Sequence, residues 1–177
     1  MEIKTSRLLI TSFQERHLSA TYVSWLNDPE AVKFSSQRHV KHTLESCRNY
    51  WNSFSGTSNY FWAVETLENK KHIGNMNAYI DVYNNTADIG IIIGEREVWG
   101  KGYGLEAWKG VIKFLFEDKG IRKITAGTLS PNIGMMNIAL KSGMKEEGRR
   151  IKQEIINGKE IDMIYFGLLN NNYKFHQ

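Results

Sequence analysis

Val98-Trp99-Gly100-Lys101-Gly102-Tyr103-Gly104 lies between an apolar run, Ile89 to Ile93, and a stretch whose apolar residues recur at helical spacing: Leu105, Trp108, Val111, Ile112, Leu115 and Phe116. Glycines at alternate positions let the main chain turn without Cβ clashes and bring its N–H groups close to a ligand. Those groups sit at a helix N-terminus, where free amides and the positive end of the helix dipole favour an anion. A phosphate or pyrophosphate is the natural occupant. A nucleotide-triphosphate loop, G-x-x-x-x-G-K-[ST], does not fit. Five residues separate Gly94 from Gly100, and Gly102 follows Lys101 where a metal-binding hydroxyl should stand. A dinucleotide motif, G-x-G-x-x-A, can be laid over Gly102 to Ala107, but it should open the first strand-turn-helix unit directly after its strand. Here at least five loop residues intervene in mid-chain, and Ile121 to Thr128 ends without the required acid. The plain alternative is a tight turn that binds nothing.

Working outward, Leu8 to Phe13 reads as an opening strand, and Leu18, Tyr22, Trp25 and Leu26 as a helix stopped by Asn27-Asp28-Pro29. Thr43 caps a second helix that runs to about Phe54. Strands follow at Tyr60 to Glu65, His72 to Asp81 and Ala87 to Ile93. After the glycine loop and its helix, which Gly120 ends, come a strand from Ile121 to Thr128 and a helix from Asn132 to Gly143. Lys145 to Ile156 and Ile161 to Leu168 flank Asn157-Gly158, a hairpin turn whose positions need positive φ. The order β-α-α-β-β-β-α-β-α-β-β predicts an α+β domain over residues 1–169, a mixed sheet flanked by helices, with a polar tail at 170–177.

The bulk properties narrow the function. The charge balance of 23 basic against 19 acidic residues is too even for a nucleic-acid binder. The one basic cluster, Arg149, Arg150 and Lys152, reads as a solvated strand face. No apolar run approaches the roughly 20 residues of a membrane span, and Met1 to Arg7 is too polar for an export signal. With Cys47 as the lone thiol, a reducing cytoplasm is the expected setting. No metal, nucleic-acid or membrane partner is expected, and a homodimer is left open.

Ile89-Gly90-Ile91-Ile92-Ile93-Gly94, followed by Trp99-Gly100-Lys101-Gly102-Tyr103-Gly104-Leu105-Glu106-Ala107, resembles the coenzyme-A signature of the GNAT N-acetyltransferase superfamily. It is similar in particular to the branch containing ribosomal-protein and polyamine acetyltransferases. In the family's [Q/R]-x-x-G-x-[G/A] pattern Gly102 and Gly104 match, and Trp99 replaces the Gln or Arg. Downstream, Asn132 to Met144 resembles N-x-x-S-x-x-x-x-x-K-x-G-F: Asn132, Lys141 and Gly143 agree, Met135 and Met144 depart.

The resemblance implies a GNAT-like, mostly antiparallel sheet and acetyl-CoA as co-substrate. It implies that Val98 and the main-chain N–H groups of Trp99, Gly100, Lys101, Gly102, Tyr103 and Gly104 cradle the pyrophosphate. Main-chain groups of Ile91, Ile92 and Ile93 would pair with the pantetheine amides like an added strand. Asn132 would bind the coenzyme, alongside its plain role as a helix cap, and Met136 would line the channel. Where the family often places a tyrosine acid, Ala139 stands, so the acid is unassigned.

Acyl transfer needs a neutral amine, which an α-amine of pKa about 7.7–8.0 supplies more readily than a lysine near 10.4. Positioning can lower the barrier by roughly 7–11 kcal/mol, and a base adds typically 10²–10⁴-fold. Base candidates are Asp88 and Glu95, with Asp81 and His72 behind them. Period-two alternation puts Asn75, Asn77, Tyr79 and Asp81 on one face of their strand, a candidate acceptor wall. Gln37, Arg38 and His39 lie where the family builds that wall, in a segment similar to amino-sugar acetyltransferases. The acceptor is a small-molecule or peptide amine: an amino-sugar nucleotide, a protein N-terminus or a small amine. The different-class reading is a non-catalytic acyl-CoA sensor or scaffold. Gly102→Val should abolish coenzyme binding through backbone clash while leaving the fold intact; calorimetry showing unchanged acetyl-CoA affinity removes the phosphate-loop reading.

Overall fold

The computed structural model describes residues 2–174. Eight strands form one sheet: β1 (Glu2–Lys4), β2 (Leu8–Ser12), β3 (Tyr60–Thr66), β4 (His72–Asp81), β5 (Thr86–Ile93), β6 (Lys123–Leu129), β7 (Lys145–Ile156) and β8 (Lys159–Leu169). The helices are α1 (Ala20–Leu26), α2 (Leu44–Asn52), α3 (Tyr103–Glu117) and α4 (Ile133–Lys141). Spatial order is β1-β2-β3-β4-β5-β6-β8-β7, and every neighbouring pair is antiparallel except β5 and β6. The sequence reading missed β1, three residues too polar and too short to show alternation. It also placed the start of β6 two residues early, at Ile121, which instead packs in the core just before the strand.

Alternation along the strands sorts the side chains into two layers. On one face Trp62, Met76, Ala78, Ile89, Ile124 and Ile164 pack against Trp108, Val111 and Leu115 of α3. On the other, Phe61 and Ala63 meet Phe13, Tyr22, Trp25 and Cys47, and Ile92 joins them. Each helix has a local reason to start. Ser19 accepts a hydrogen bond from the Tyr22 amide, and Thr43 and Ser46 form a reciprocal capping box at α2.

One ladder is cut short. β5 and β6 pair only where Thr86, Ala87 and Asp88 face Lys123, Ile124 and Thr125. Beyond Asp88, β5 stays with β4 through Ile93 and β6 stays with β8 through Leu129. A wedge opens between them, and the edge of β5 from Ile89 onward has no strand partner on that side among the described residues.

The start of α3 is aimed at this wedge by a brace from the opposite end of the chain. Glu106, in the first turn, accepts hydrogen bonds from the Thr5 hydroxyl (2.6 Å), the Arg7 amide (2.7 Å) and Arg7 Nε (2.7 Å). These bonds hold its carboxyl below the usual range although burial alone would raise it. Removing them leaves the Arg7 amide and Thr5 without their acceptor. Glu106→Ala should therefore cost about 1–3 kcal/mol, a fall in melting temperature of roughly 2–4 °C per kcal/mol, and should weaken acetyl-CoA binding. A variant with wild-type Tm and affinity would show that the brace is idle.

Candidate active site

Gly100 (φ 74°) and Gly102 (φ 83°) both adopt the left-handed region, which glycine enters without strain. Gly102 is the N-cap of α3 and brings no side chain to satisfy the helix end. The first helical bond runs from the Glu106 amide to the Gly102 carbonyl (3.0 Å). The amides of Gly102, Tyr103, Gly104 and Leu105 consequently have no main-chain partner among the described residues. Gly102, Tyr103 and Gly104 of that set belong to the expected cradle, and Leu105 adds to it. The Trp99 and Lys101 amides, included in it from the sequence, are spent inside the loop on the Arg96 and Val98 carbonyls.

The loop is pinned on both sides. The Trp99 indole N–H donates to the Ile93 carbonyl at 2.8 Å, tying the loop to the end of β5 and occupying that carbonyl. Arg7 Nη1 donates to the Lys101 carbonyl at 3.1 Å, and its guanidinium lies 4.1 Å from the centre of the Tyr103 ring. Arg7 and Glu106 carry no motif, and only the folded chain brings them to the loop.

A continuous cleft of about 1040 Å³ runs from this loop along the open edge of β5 to the segment before α2. Ile91, Ile92, Ile93, Val98, Trp99, Gly100, Gly102, Tyr103, Gly104 and Asn132 line it. Lys101 and Met136 do not: the Lys101 main chain is bonded within the loop, and the phase of α4 turns Met135 and Ile138 to the cleft instead. Asn132 Oδ1 accepts from the Met135 amide at 3.1 Å, so the residue caps α4 while also facing the cleft. Ala139 is fully buried in the α3-side core, where it could present no acid even to a bound thiol. The chain thus offers a free-amide nest for a diphosphate and an unpaired strand edge for an extended amide-bearing arm. These are features that acetyl-CoA would fill.

At the far end Gln37, Arg38, Asn75 and Asn77 line the cleft, whereas His39 and Tyr79 fall outside its lining. Tyr79 instead shares a hydroxyl–hydroxyl bond of 3.0 Å with Tyr50 of α2. Arg38 donates to Glu154 of β7 at 2.9 Å and to the Ser35 carbonyl at 2.8 Å, bridging the two walls. His42 also lines the cleft, with a buried Nε2 that has no partner. Its signal was faint, a lone histidine ahead of a helix cap.

Of the carboxylates, Glu95 is drawn out of consideration. It pairs with Lys71 at 2.7 Å, which depresses its pKa, and it is absent from the cleft. Asp81 is consumed by its turn, accepting from the Tyr83 and Asn84 amides. His72 is packed against Trp25 and His17, donates toward the Gly74 carbonyl, and is pushed down to about 4 by burial. It stays neutral at ordinary pH. Asp88 is different. It stands at the last β5–β6 pair, on the α2 side of the sheet, and burial raises its carboxyl above the ordinary range against the lowering effect of the Thr125 hydroxyl at 2.7 Å. It does not line the cleft itself; it belongs to the last β5–β6 pair, two residues before Gly90, which does.

Residues 7–145 match the Acetyltransferase (GNAT) domain family. The chain is 26% identical over 174 residues to YnaD of Bacillus subtilis (strain 168), an uncharacterized N-acetyltransferase, covering 98% of this chain and 99% of that one. Among solved structures it is similar to spermidine N-acetyltransferase from Vibrio cholerae in complex with CoA and spermine (TM-score 0.85, 19% identity, 96% of this chain and 99% of that one). It is also similar to the ribosomal-protein-S5-alanine acetyltransferase from Vibrio fischeri (TM-score 0.83, 17% identity, 98% and 99%). The parted strands, the unfilled amide nest and the match over most of the sequence converge: the chain belongs to the GNAT acetyltransferase family and is an acetyl-CoA-dependent acyltransferase.

Proposed function

We propose that the enzyme moves the acetyl group of acetyl-CoA directly to a primary amine on a small polar acceptor of the amino-sugar kind. The observation that carries this reading is the single cleft joining the amide nest, the open edge of β5 and the polar wall at Gln37, Arg38 and Asn77. Acetyl-CoA supplies the activated acyl group, and transfer exchanges its C–S bond for a C–N bond, releases CoA as its thiolate and leaves one amine proton to be placed. The amides of Gly102 to Leu105 bind the diphosphate, and the free edge of β5 lays the arm toward Asp88. Asp88 takes the amine proton, directly or through one water. A carboxyl raised toward neutrality is better matched to that task than an ordinary one.

The acceptor wall favours hydroxyls and amides over polycations. Its two lining carboxylates already carry partners: Glu154 with Arg38 at 2.9 Å and Glu30 with Lys33 at 3.7 Å. The spermidine enzyme of Vibrio cholerae shares the fold, but a polyamine here would meet few free negative charges. Protein N-termini, the acceptor class suggested by the ribosomal-protein enzyme, remain the second choice because the polar wall also fits a peptide.

Thiol release from acetyl-CoA, measured with glucosamine, glucosamine phosphate, a dipeptide amide and spermidine, should rank the amino sugars first. Binding of acetyl-CoA without turnover on any amine would instead support a sensor. Asp88→Asn should lower kcat by roughly 10²-fold or more. In the wild type the rate falls as pH drops through the raised Asp88 pKa, because the base becomes protonated. That acid limb should vanish in the variant, and an unchanged pH–rate profile would retire Asp88 as the base.

A further inference from the structure

On the polar face of β4, Asn77 is the carboxamide with neither end bonded to a described residue; Asn75 is bonded through Nδ2 alone, its buried Oδ1 having no partner among the described residues. Asn75 is buried, donates from Nδ2 to the Trp62 carbonyl at 3.3 Å and lies beside His72. Tyr79 is bonded to Tyr50. Asn77, between them on the same face, has no hydrogen bond to any described residue, yet it is half-buried and lines the cleft. Its amide is open to the cleft rather than spent on the fold, so a ligand there can take the hydrogen bonds that water would otherwise supply.

Its position is set by what β5 lacks. Asn77 faces Gly90, the second residue past the point where β5 leaves β6. A Cβ on Gly90 would lie 2.6 Å from Asn77 Oδ1, closer than atoms approach, so the missing side chain is what lets the carboxamide lie across β5. Asp88 is two residues before Gly90 and therefore on the same sheet face. Diagonal neighbours of this kind are about 7–8 Å apart, room for one amine between an amide oxygen and a carboxylate.

We propose that Asn77 is the residue that seats the acceptor's amine, its Oδ1 accepting one N–H while the nitrogen's lone pair is left free for the acetyl group. The inference rests on the acetyl-transfer reading and divides labour within it. Asn77 governs how the acceptor binds, and Asp88 governs how fast the proton leaves. The ionisable groups nearest on this face and on α2 are Tyr79, Asp88, Tyr50 and Cys47, with His42, Tyr22, Glu30, Arg38, Glu154, Tyr103 and Lys141 elsewhere on the cleft. An amide among them supplies an acceptor that no change of pH removes.

The test is steady-state kinetics on the full chain with acetyl-CoA and the best turned-over amine of the panel above, together with calorimetry of acetyl-CoA binding. Asn77→Leu should raise the acceptor KM roughly ten-fold or more with acetyl-CoA affinity unchanged. Asn77→Ser, which removes the carboxamide without adding apolar bulk, guards against misfolding and should act in the same direction. Gly90→Ala, which leaves Asn77 in place but displaces its oxygen, should reproduce the KM defect. Unchanged acceptor KM in both Asn77 variants overturns the assignment while leaving acetyl transfer intact. A wild type that binds acetyl-CoA but turns over no amine fails the transfer reading and takes this inference with it.

Discussion

The parallel ladder between β5 and β6 stops after three residues on each strand, and the rest of the site depends on that stop. A ladder that continued would satisfy the main chain of Ile89 to Ile93 with β6 and close the sheet. Because it ends at Asp88, one strand edge is left in want of hydrogen bonds, and the cleft exists to house whatever supplies them. The remaining features serve that wedge. Gly102 leaves the end of α3 uncapped above it, Trp99 closes its upper end on the Ile93 carbonyl, and the Glu106 brace fixes the helix in place.

Most of the architecture was legible because the sequence punctuates itself. The strands alternate, the helices carry caps, and Asn157-Gly158 turns the last hairpin with φ of 50° and 75°. The loop ahead of α3 was legible as well, since glycines at alternate positions before an amphipathic stretch mark a turn into a helix whether or not it holds a ligand. The set of amides it leaves free was not. Which amides remain free depends on the 3-10 turn at Arg96–Val98, whose bonds consume the Trp99 and Lys101 N–H groups, and no residue pattern announces that turn.

The catalytic and acceptor residues were harder to read, for a reason visible in the carboxylates. Asp88 and Glu95 look alike in the sequence, one just before and one just after the same apolar run. Only tertiary structure gives Glu95 a lysine from the β3–β4 turn and gives Asp88, exposed on its strand, the Thr125 hydroxyl of the neighbouring one. Tyr79 belonged to the correct strand face, but α2 brings Tyr50 to meet it, and the pair closes that end of the face. Arg7 illustrates the same limit from the other direction: a lone basic residue near the start of the chain, it acquires meaning only by crossing to Tyr103 and Glu106.

An unpaired strand edge is normally a hazard, since it can template pairing with another copy of the chain. Here the vacant edge is interior: β6 and β8 continue alongside it, and α3 and α4 cover one face. A neighbouring protein's strand, with side chains above and below and a sheet behind it, cannot pair with that edge without meeting β6, which stands beside it in the sheet. A slender single chain of amide groups can. The half-finished ladder thereby discriminates by thickness, admitting a thread and refusing a ribbon, and the protein keeps a reactive edge without becoming adhesive.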